Sequence, residues 1–235
     1  MTSVWKPLSR GIGASTAVAA GYLPIAFSFG LATVQAGLPP TVAVLISAFV
    51  FAGASQFVLV TMIAGGGSPL TAIAVTCLIN GRHIFYGPAV VDALGGRPKR
   101  VPRPVIAFGL TDEVMATAVS RAARIPDGER ELWYTGLWMG AYTAWVGGTL
   151  LGSNLGGHVP VDWTWFHSAL DFVLPALFLT LLFDVASRGQ WQAILGGGLT
   201  TVVCLPFLPA NAALAIGMIT GAALGTVDAR TCRRV

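Results

Sequence analysis

The segment VAVLISAFVFAGASQFVLVTMIA, residues 42–64, decides the class of fold. It carries no charged residue, and at a rise of about 1.5 Å per residue it can cross a hydrocarbon core of about 30 Å as one helix. The rest of the chain is similar, because 54% of its 235 residues are apolar and 10% are charged, whereas roughly a quarter are charged in a soluble domain. The sequence therefore predicts an all-α integral membrane protein.

Short charged or glycine- and proline-rich stretches separate the apolar segments, as is typical of loops between helices. The chain length predicts about eight transmembrane helices, or seven, in a single domain of residues 1–235. The first apolar segment exceeds the core of a signal peptide, which is about 7 to 15 residues long, so we interpret it as a membrane helix. The third helix has Ser68 as its N-cap and is interrupted or unwound near residues 80–83. The predicted helices comprise residues 12–35, 42–64, 69–94, 104–119, 132–151, 166–186, 191–208 and 211–227.

The distribution of Lys and Arg predicts a cytoplasmic N-terminus. With eight spans, the basic cluster at residues 97–103 lies on the outer side, against the usual rule, and it would change sides if one earlier segment did not cross. Residues 54–58 (ASQFV) also resemble residues 169–173 (ALDFV), which indicates a possible internal repeat, parallel or inverted.

Polar residues in apolar segments require a partner, water or a function, since a charge at a helix centre costs about 2.5–3.5 kcal/mol. Asn80, Arg82 and His83 occur beside Gly81, where a broken helix would present backbone groups to a cavity. We predict that these three side chains line a path for a solute. The alternative is that Arg82 and His83 reach the membrane interface.

Asp112 and Glu113 are adjacent, and adjacent helical residues point about 100° apart, so the two carboxylates cannot face one site. Carboxylates in a low-dielectric cavity can exchange protons near neutral pH, which suits proton coupling. The alternative is an ion pair with Arg82 or Arg103.

Two further positions combine a polar side chain with a residue that disturbs helices. Asp171 precedes Pro175 by one helical turn and could hold an ammonium group or a proton, or could cap a helix. Gln56 shares a helix face with Gly53, which suits either function or close helix packing. The residues predicted to break helices are Pro24, Gly30, Gly53, Gly81 and Pro175.

Enzyme and cofactor motifs are absent from the sequence, including H-E-x-x-H, G-x-S-x-G and the P-loop. The three cysteines are far apart, without the spacing of a metal site. The net charge of +4 resides at segment ends, which suits lipid headgroups better than nucleic acid. We therefore expect no enzymatic activity, no metal, no cofactor and no nucleic-acid partner.

Several blocks of this sequence, in order along nearly the whole chain, resemble the AzlC family. They are YLPIAFSFG (22–30), FAGASQF (51–57), NGRH (80–83) with YG (86–87), LTDE (110–113) and LDF (170–172). The family usually has an aliphatic residue where this chain has Gly81, so the local helix geometry is expected to be looser.

The resemblance implies a secondary transporter that exports branched-chain amino acids, and in some members methionine, across the bacterial inner membrane. It also implies a small multi-span partner of the AzlD type. A zwitterionic substrate needs polar contacts, for which the candidates are Gln56, Asn80, Arg82, His83 and Asp171. Its apolar side chain would contact Phe27, Phe57 and Phe85, and the candidates for proton coupling are Asp112, Glu113 and Asp171. A passive channel and a membrane scaffold subunit are the alternatives.

Overall fold

The computed structural model describes residues 4–81, 83–96, 100–155 and 191–208, together with residues 168, 172, 179, 213, 216–217, 219–221 and 223–225. The regular structure within these residues is entirely helical, which confirms the all-α part of the predicted class. The chain divides into two compact units, Met1–Val173 and Leu174–Val235. The prediction of a single domain stays a prediction.

Ten α-helices are described, and two short 3-10 turns at Ala122–Arg124 and Asp127–Glu129 precede the ninth. The helices are α1 (Trp5–Ala14), α2 (Thr16–Gln35), α3 (Pro40–Phe49), α4 (Gly53–Ala64), α5 (Pro69–Asn80), α6 (His83–Ala93), α7 (Arg103–Phe108), α8 (Asp112–Arg121), α9 (Arg130–Leu155) and α10 (Trp191–Cys204).

Two helices that the sequence predicts as single segments are interrupted, and the first interruption ends at Gly53, one of the residues predicted to break a helix. The predicted helix 42–64 is divided at residues 50–52, where Ala52 is extended with φ −155° and ψ 90°. The predicted helix 104–119 is divided at residues 109–111, where Thr111 is extended with φ −132° and ψ 170°. The third interruption, between α5 and α6, lies where the sequence predicts it. Three of the predicted spans are therefore built from pairs of short helices.

The interruptions bear on the predicted number of spans. In the described part of the chain, α2 is the one helix that is both long enough and apolar enough to cross a membrane by itself. The helices α3, α4 and α10 are apolar but have 10, 12 and 14 residues, short of the roughly 20 that a span requires. The prediction of eight spans is therefore not confirmed by helix length.

The first predicted helix starts earlier than expected, at Trp5, and Ser15 separates α1 from α2. Within α2 the helix continues through Pro24 and Gly30, which corrects the expectation that these residues break it. Gly30 instead permits close packing, because a Cβ atom there would lie 2.3 Å from Thr149 O. At α5, Pro69 is the first helical residue as predicted, but the Ser68 side chain makes no capping hydrogen bond.

The helices α1 and α2 pack along α9 with their backbones in direct contact. A Cβ atom on Gly11 would lie 2.0 Å from Trp133 O, and one on Gly152 would lie 2.0 Å from Phe27 O. Such contacts are possible only for glycine, and small residues are typical where membrane helices approach closely. Because residue numbers increase together along the contact, α1–α2 and α9 run parallel.

In the second unit, α10 packs against helical residues from the predicted helix 211–227. A Cβ atom on Gly197 would lie 2.9 Å from Gly217 O, and one on Gly221 would lie 3.0 Å from Ala193 O. Here one residue number rises as the other falls, so the two segments are antiparallel. Most of the predicted helix 166–186, including Asp171 and Pro175, lies outside the described residues.

Replacing Gly152 by alanine is expected to destabilise the contact between α2 and α9, because the added methyl group would meet Phe27 O at 2.0 Å. Overpacking of this kind costs about 1–3 kcal/mol. Gly147→Ala on the same helix is the matched control, since a Cβ atom there has no neighbour within 4 Å. Thermal unfolding of the purified protein in detergent should show a lower midpoint for Gly152→Ala alone. Equal midpoints for the two variants would contradict the close backbone packing.

Candidate functional site

A cavity of about 340 Å³ lies in the first unit, beside the interruptions at residues 50–52 and 109–111. Its volume falls within the range of small-molecule sites, roughly 300–1,000 Å³. One wall is formed by residues 49–52, at the end of α3 and in the interruption that follows. Phe108 at the end of α7 and Leu110 in the second interruption also line the cavity. Both interrupted helices thus contribute to one cavity.

The third interruption, between α5 and α6, also borders the cavity. Asn80, the last residue of α5, and His83, the first of α6, both line the cavity, as does Cys77 one turn before Asn80. Asn80 Oδ1 is buried and has no hydrogen-bond partner among the described residues. A buried acceptor without a partner costs about 1–3 kcal/mol, so it is available to a ligand that brings a donor. Arg82 lies outside the described residues.

The carboxylates of Asp112 and Glu113 begin α8, directly after the second interruption. The Tyr86 hydroxyl on α6 donates to Asp112 Oδ1. The Tyr22 hydroxyl on α2 donates to Glu113 Oε2 at 2.6 Å. The two acids therefore point toward different helices. Both lie in the first turn of α8, where the helix dipole favours negative charge.

Thr111 organises the start of α8. Its Oγ1 accepts a hydrogen bond from the Val114 backbone N–H at 3.3 Å, which caps the helix. The same oxygen lies 2.8 Å from the Tyr22 hydroxyl. Because the Tyr22 proton goes to Glu113, the Thr111 hydroxyl is the donor in this second contact. The capping residue and the acid are thereby joined to α2.

Gln56 is fully buried and does not line the cavity. Its Nε2 donates to Ile46 O on α3 at 3.1 Å, and its Oε1 accepts from Trp145 Nε1 on α9 at 2.9 Å. The side chain therefore spans the first interruption and ties both halves of the broken helix to α9. Gly53, at the start of α4, faces the same indole, because a Cβ atom there would lie 2.8 Å from the Trp145 ring.

The end of α3 has further partners on α9. The Tyr142 hydroxyl donates to Ala48 O at 3.1 Å. Ser47 Oγ and Thr149 Oγ1 share a hydrogen bond of 2.7 Å. The last carbonyl groups of a helix lack partners within it and must be satisfied elsewhere in a membrane. Side chains of α9 thus compensate for the interruption.

Phe51 and Phe108 form the aromatic walls of the cavity, one beside each interruption. Their rings are stacked, with centroids 6.3 Å apart and planes inclined by 27°. The aromatic residues proposed from sequence lie elsewhere: Phe57 packs against Phe29 at 5.3 Å, Phe85 is 79% exposed, and Phe27 does not line the cavity. Sequence reasoning missed Phe51 and Phe108, although Gly53 follows Phe51 by two residues and Gly109 directly follows Phe108.

The remaining predicted residues lie as follows. Gly81 separates α5 from α6, as predicted. Asp171 and Pro175 lie outside the described residues. Within the described part of the chain, no group of three or more His, Cys, Asp or Glu side chains could hold a metal ion.

The described part of the chain is helical, with interrupted helices beside an apolar cavity, an arrangement that occurs in membrane transporters. Relatives of this chain are named as membrane proteins. The chain is 30% identical to "Inner membrane protein YgaZ" of Escherichia coli over 94% of this chain and 90% of that protein. It is 38% identical to an "Uncharacterized membrane protein" of Archaeoglobus fulgidus over 92% and 91%. It is 24% identical to "Branched-chain amino acid transport protein AzlC" of Bacillus subtilis over 93% and 86%.

The model of the family described as "AzlC protein" matches residues 17–159, which contain all three interruptions. No solved structure matches this chain. The chain is a membrane protein and belongs to the AzlC family.

Replacing Gln56 by leucine should destabilise the protein, because Trp145 Nε1 would be buried without its acceptor. Such an orphaned group costs about 1–3 kcal/mol. Trp145→Phe should also destabilise, by removing the donor. In the double variant neither polar partner is present, so the combined loss should be smaller than the sum of the single losses.

Unfolding midpoints in detergent, measured for the four members of this cycle, test the coupling. Thr61→Val is the control, since its exposed hydroxyl bonds only within its own helix, to Phe57 O. Additive effects of Gln56→Leu and Trp145→Phe would contradict a bond between the two side chains.

Proposed function

We propose that this protein is the large subunit of a secondary transporter that exports branched-chain amino acids, with methionine as a further candidate substrate. It works by alternating access, driven by the proton gradient, together with a small AzlD-type membrane subunit. Family membership and the printed name of the Bacillus subtilis relative support amino-acid transport. Export, proton coupling and the partner follow from the family resemblance and from the site.

The observation that carries the proposal is the convergence of three helix interruptions on one cavity. Transporters bind solutes where discontinuous helices leave backbone groups available and where halves of a helix can move separately. The cavity walls here are mainly apolar, with Asn80 and His83 as polar contributors. This composition suits a small molecule with an aliphatic side chain and a polar head. Arg82 and Asp171 remain in the proposal as further contacts for the zwitterion.

The acids at the start of α8 support proton coupling. Leu110 lines the cavity, and Asp112 follows it by two residues. Tyr22 and Tyr86 each donate a hydrogen bond to an oxygen of one of the two carboxylates. Protonation of a carboxylate adds a donor and reduces its capacity as an acceptor, so it would alter these hydrogen bonds. The acids connect the cavity region to α2 and α6. Asp171 is a further candidate for the proton.

The parallel arrangement of α2 and α9 supports a multi-pass topology. Two parallel membrane helices require the intervening chain to cross an odd number of times. Three crossings, each made of two short helices, satisfy this requirement: α3 with α4, α5 with α6, and α7 with α8. The same count agrees with a cytoplasmic N-terminus in the inner membrane.

Uptake of labelled leucine, valine and methionine into inside-out vesicles tests the function. The vesicles carry this chain with or without the small subunit and receive an imposed pH gradient. Saturable accumulation that depends on the gradient is expected. Conductance without saturation would indicate a channel, and no movement of any substrate despite correct insertion would indicate a scaffold.

Glu113→Gln should lose most of the gradient-driven accumulation while the protein still inserts, because the amide cannot carry the proton. Glu129→Gln is the matched control, since Glu129 pairs with Arg10 at 3.2 Å at a half-exposed position. The measurement is initial uptake at several imposed pH gradients. Equal gradient dependence in Glu113→Gln and the unmodified protein would remove Glu113 from the coupling.

A further inference from the structure

We infer that the cavity between the interrupted helices is the amino-acid binding pocket, with Asn80 Oδ1 as acceptor for the substrate ammonium group. The aliphatic side chain then lies against Phe51 and Phe108, which set the upper limit of its size. This inference rests on the proposed function and identifies the atoms that would perform it. The convergence of Asn80 and the two stacked rings on one cavity carries it.

The polar end of the pocket is defined by hydrogen-bonding chemistry. Asn80 Oδ1 is a buried acceptor that no described donor reaches. A carboxylate has no proton to give it, whereas an ammonium group has three donors. A hydrogen bond to a charged group is stronger than one between neutral groups. Asn80 therefore selects the amino end of the zwitterion.

The apolar end is rigid, because each wall residue is held by other rings. Phe51 contacts Tyr142 edge-on at 5.2 Å, and Phe108 contacts Tyr142 at 5.4 Å. The Trp138 ring lies 5.7 Å from the Phe108 ring. Aromatic residues packed in this way cannot easily rotate out of the pocket. We expect these two fixed rings to limit the length of the side chain that the cavity accepts.

The position of the two rings also links binding to conformational change. Phe51 belongs to the interruption between α3 and α4, and Phe108 ends α7 before the second interruption. A substrate that touches both rings has an affinity that depends on the relative position of the two broken helices. Differential affinity of this kind is what a ligand needs to shift a conformational equilibrium.

Cys77 lines the pocket one helical turn from Asn80 and is a free thiol, so its alkylation reports occupancy. The assay uses the full chain with Cys204→Ser and Cys232→Ser, co-expressed with the small subunit in inside-out vesicles. Alkylation of Cys77 by N-ethylmaleimide is timed with and without leucine. Leucine should slow the reaction, and Asn80→Leu should raise the leucine concentration needed for protection by about 10-fold or more, the loss expected for a bond to a charged group.

Comparing Asn80→Asp with Asn80→Leu tests the role of the oxygen acceptor separately from the size of the side chain. Asn80→Asp retains an oxygen at the same position, so protection should persist in this variant and fail in Asn80→Leu. Equal protection in both variants would overturn the role of Asn80. Leucine transport without any protection of Cys77 would overturn the location of the pocket and leave the proposed function intact. The absence of both transport and protection would overturn the proposed function and this inference together.

Phe108→Ala tests the apolar end by enlarging the pocket. Relative to valine, phenylalanine should inhibit the uptake of labelled leucine more strongly in this variant than in the unmodified protein. Phe207→Ala is the control, because Phe207 is 82% exposed and lies in the second unit. A selectivity ratio that is the same in Phe108→Ala and in Phe207→Ala would overturn the assignment of the aromatic wall.

Discussion

The close parallel contact between α2 and α9 is the constraint on which the rest of the first unit depends. Glycines on both helices bring the backbones together, so that no side chain separates them at Gly30 and Gly152. This contact sets the position of α9 relative to the broken helices. From that position Tyr142 and Trp145 reach the end of α3 and the start of α4. The close glycine contacts between α2 and α9 thus position the side chains that stabilise the interruption between α3 and α4.

An interruption inside a membrane is costly, because each unsatisfied backbone group costs several kcal/mol there. This protein meets the requirement with side chains. Gln56 donates to Ile46 O across the first interruption. Thr111 caps the helix after the second, and the adjacent acids use the positive end of α8. At these two interruptions, the irregular backbone is held by side chains or lines the cavity.

The interruptions at residues 50–52 and 109–111 bring different side chains to the region of the cavity. The first contributes an aromatic ring and a buried amide network, whereas the second contributes an aromatic ring followed by two carboxylates. Tyr22 contacts both sides, since its ring lies 6.2 Å from Phe51 and its hydroxyl bonds Glu113. A change in charge at Glu113 would therefore act on a residue that also contacts the pocket wall. This contact is the link that the proposed proton-coupled mechanism would use.

The sequence by itself determined the helical membrane class, the main loops and the interruption at Gly81. Hydropathy summed over about 20 residues is a strong signal, and glycine beside polar residues is a strong local one. It also indicated Asn80 and His83 as residues of one site, and the structure places both at the cavity. Only the tertiary structure decided that residues 50–52 and 109–111 leave the helix and that Phe51 and Phe108 face each other. Gly53 indicated a break in the first helix but not which residues leave it. The hydrogen bonds that hold the two sides of that interruption come from Tyr142 and Trp145, 94 and 89 residues from their partners, and no local pattern contains them.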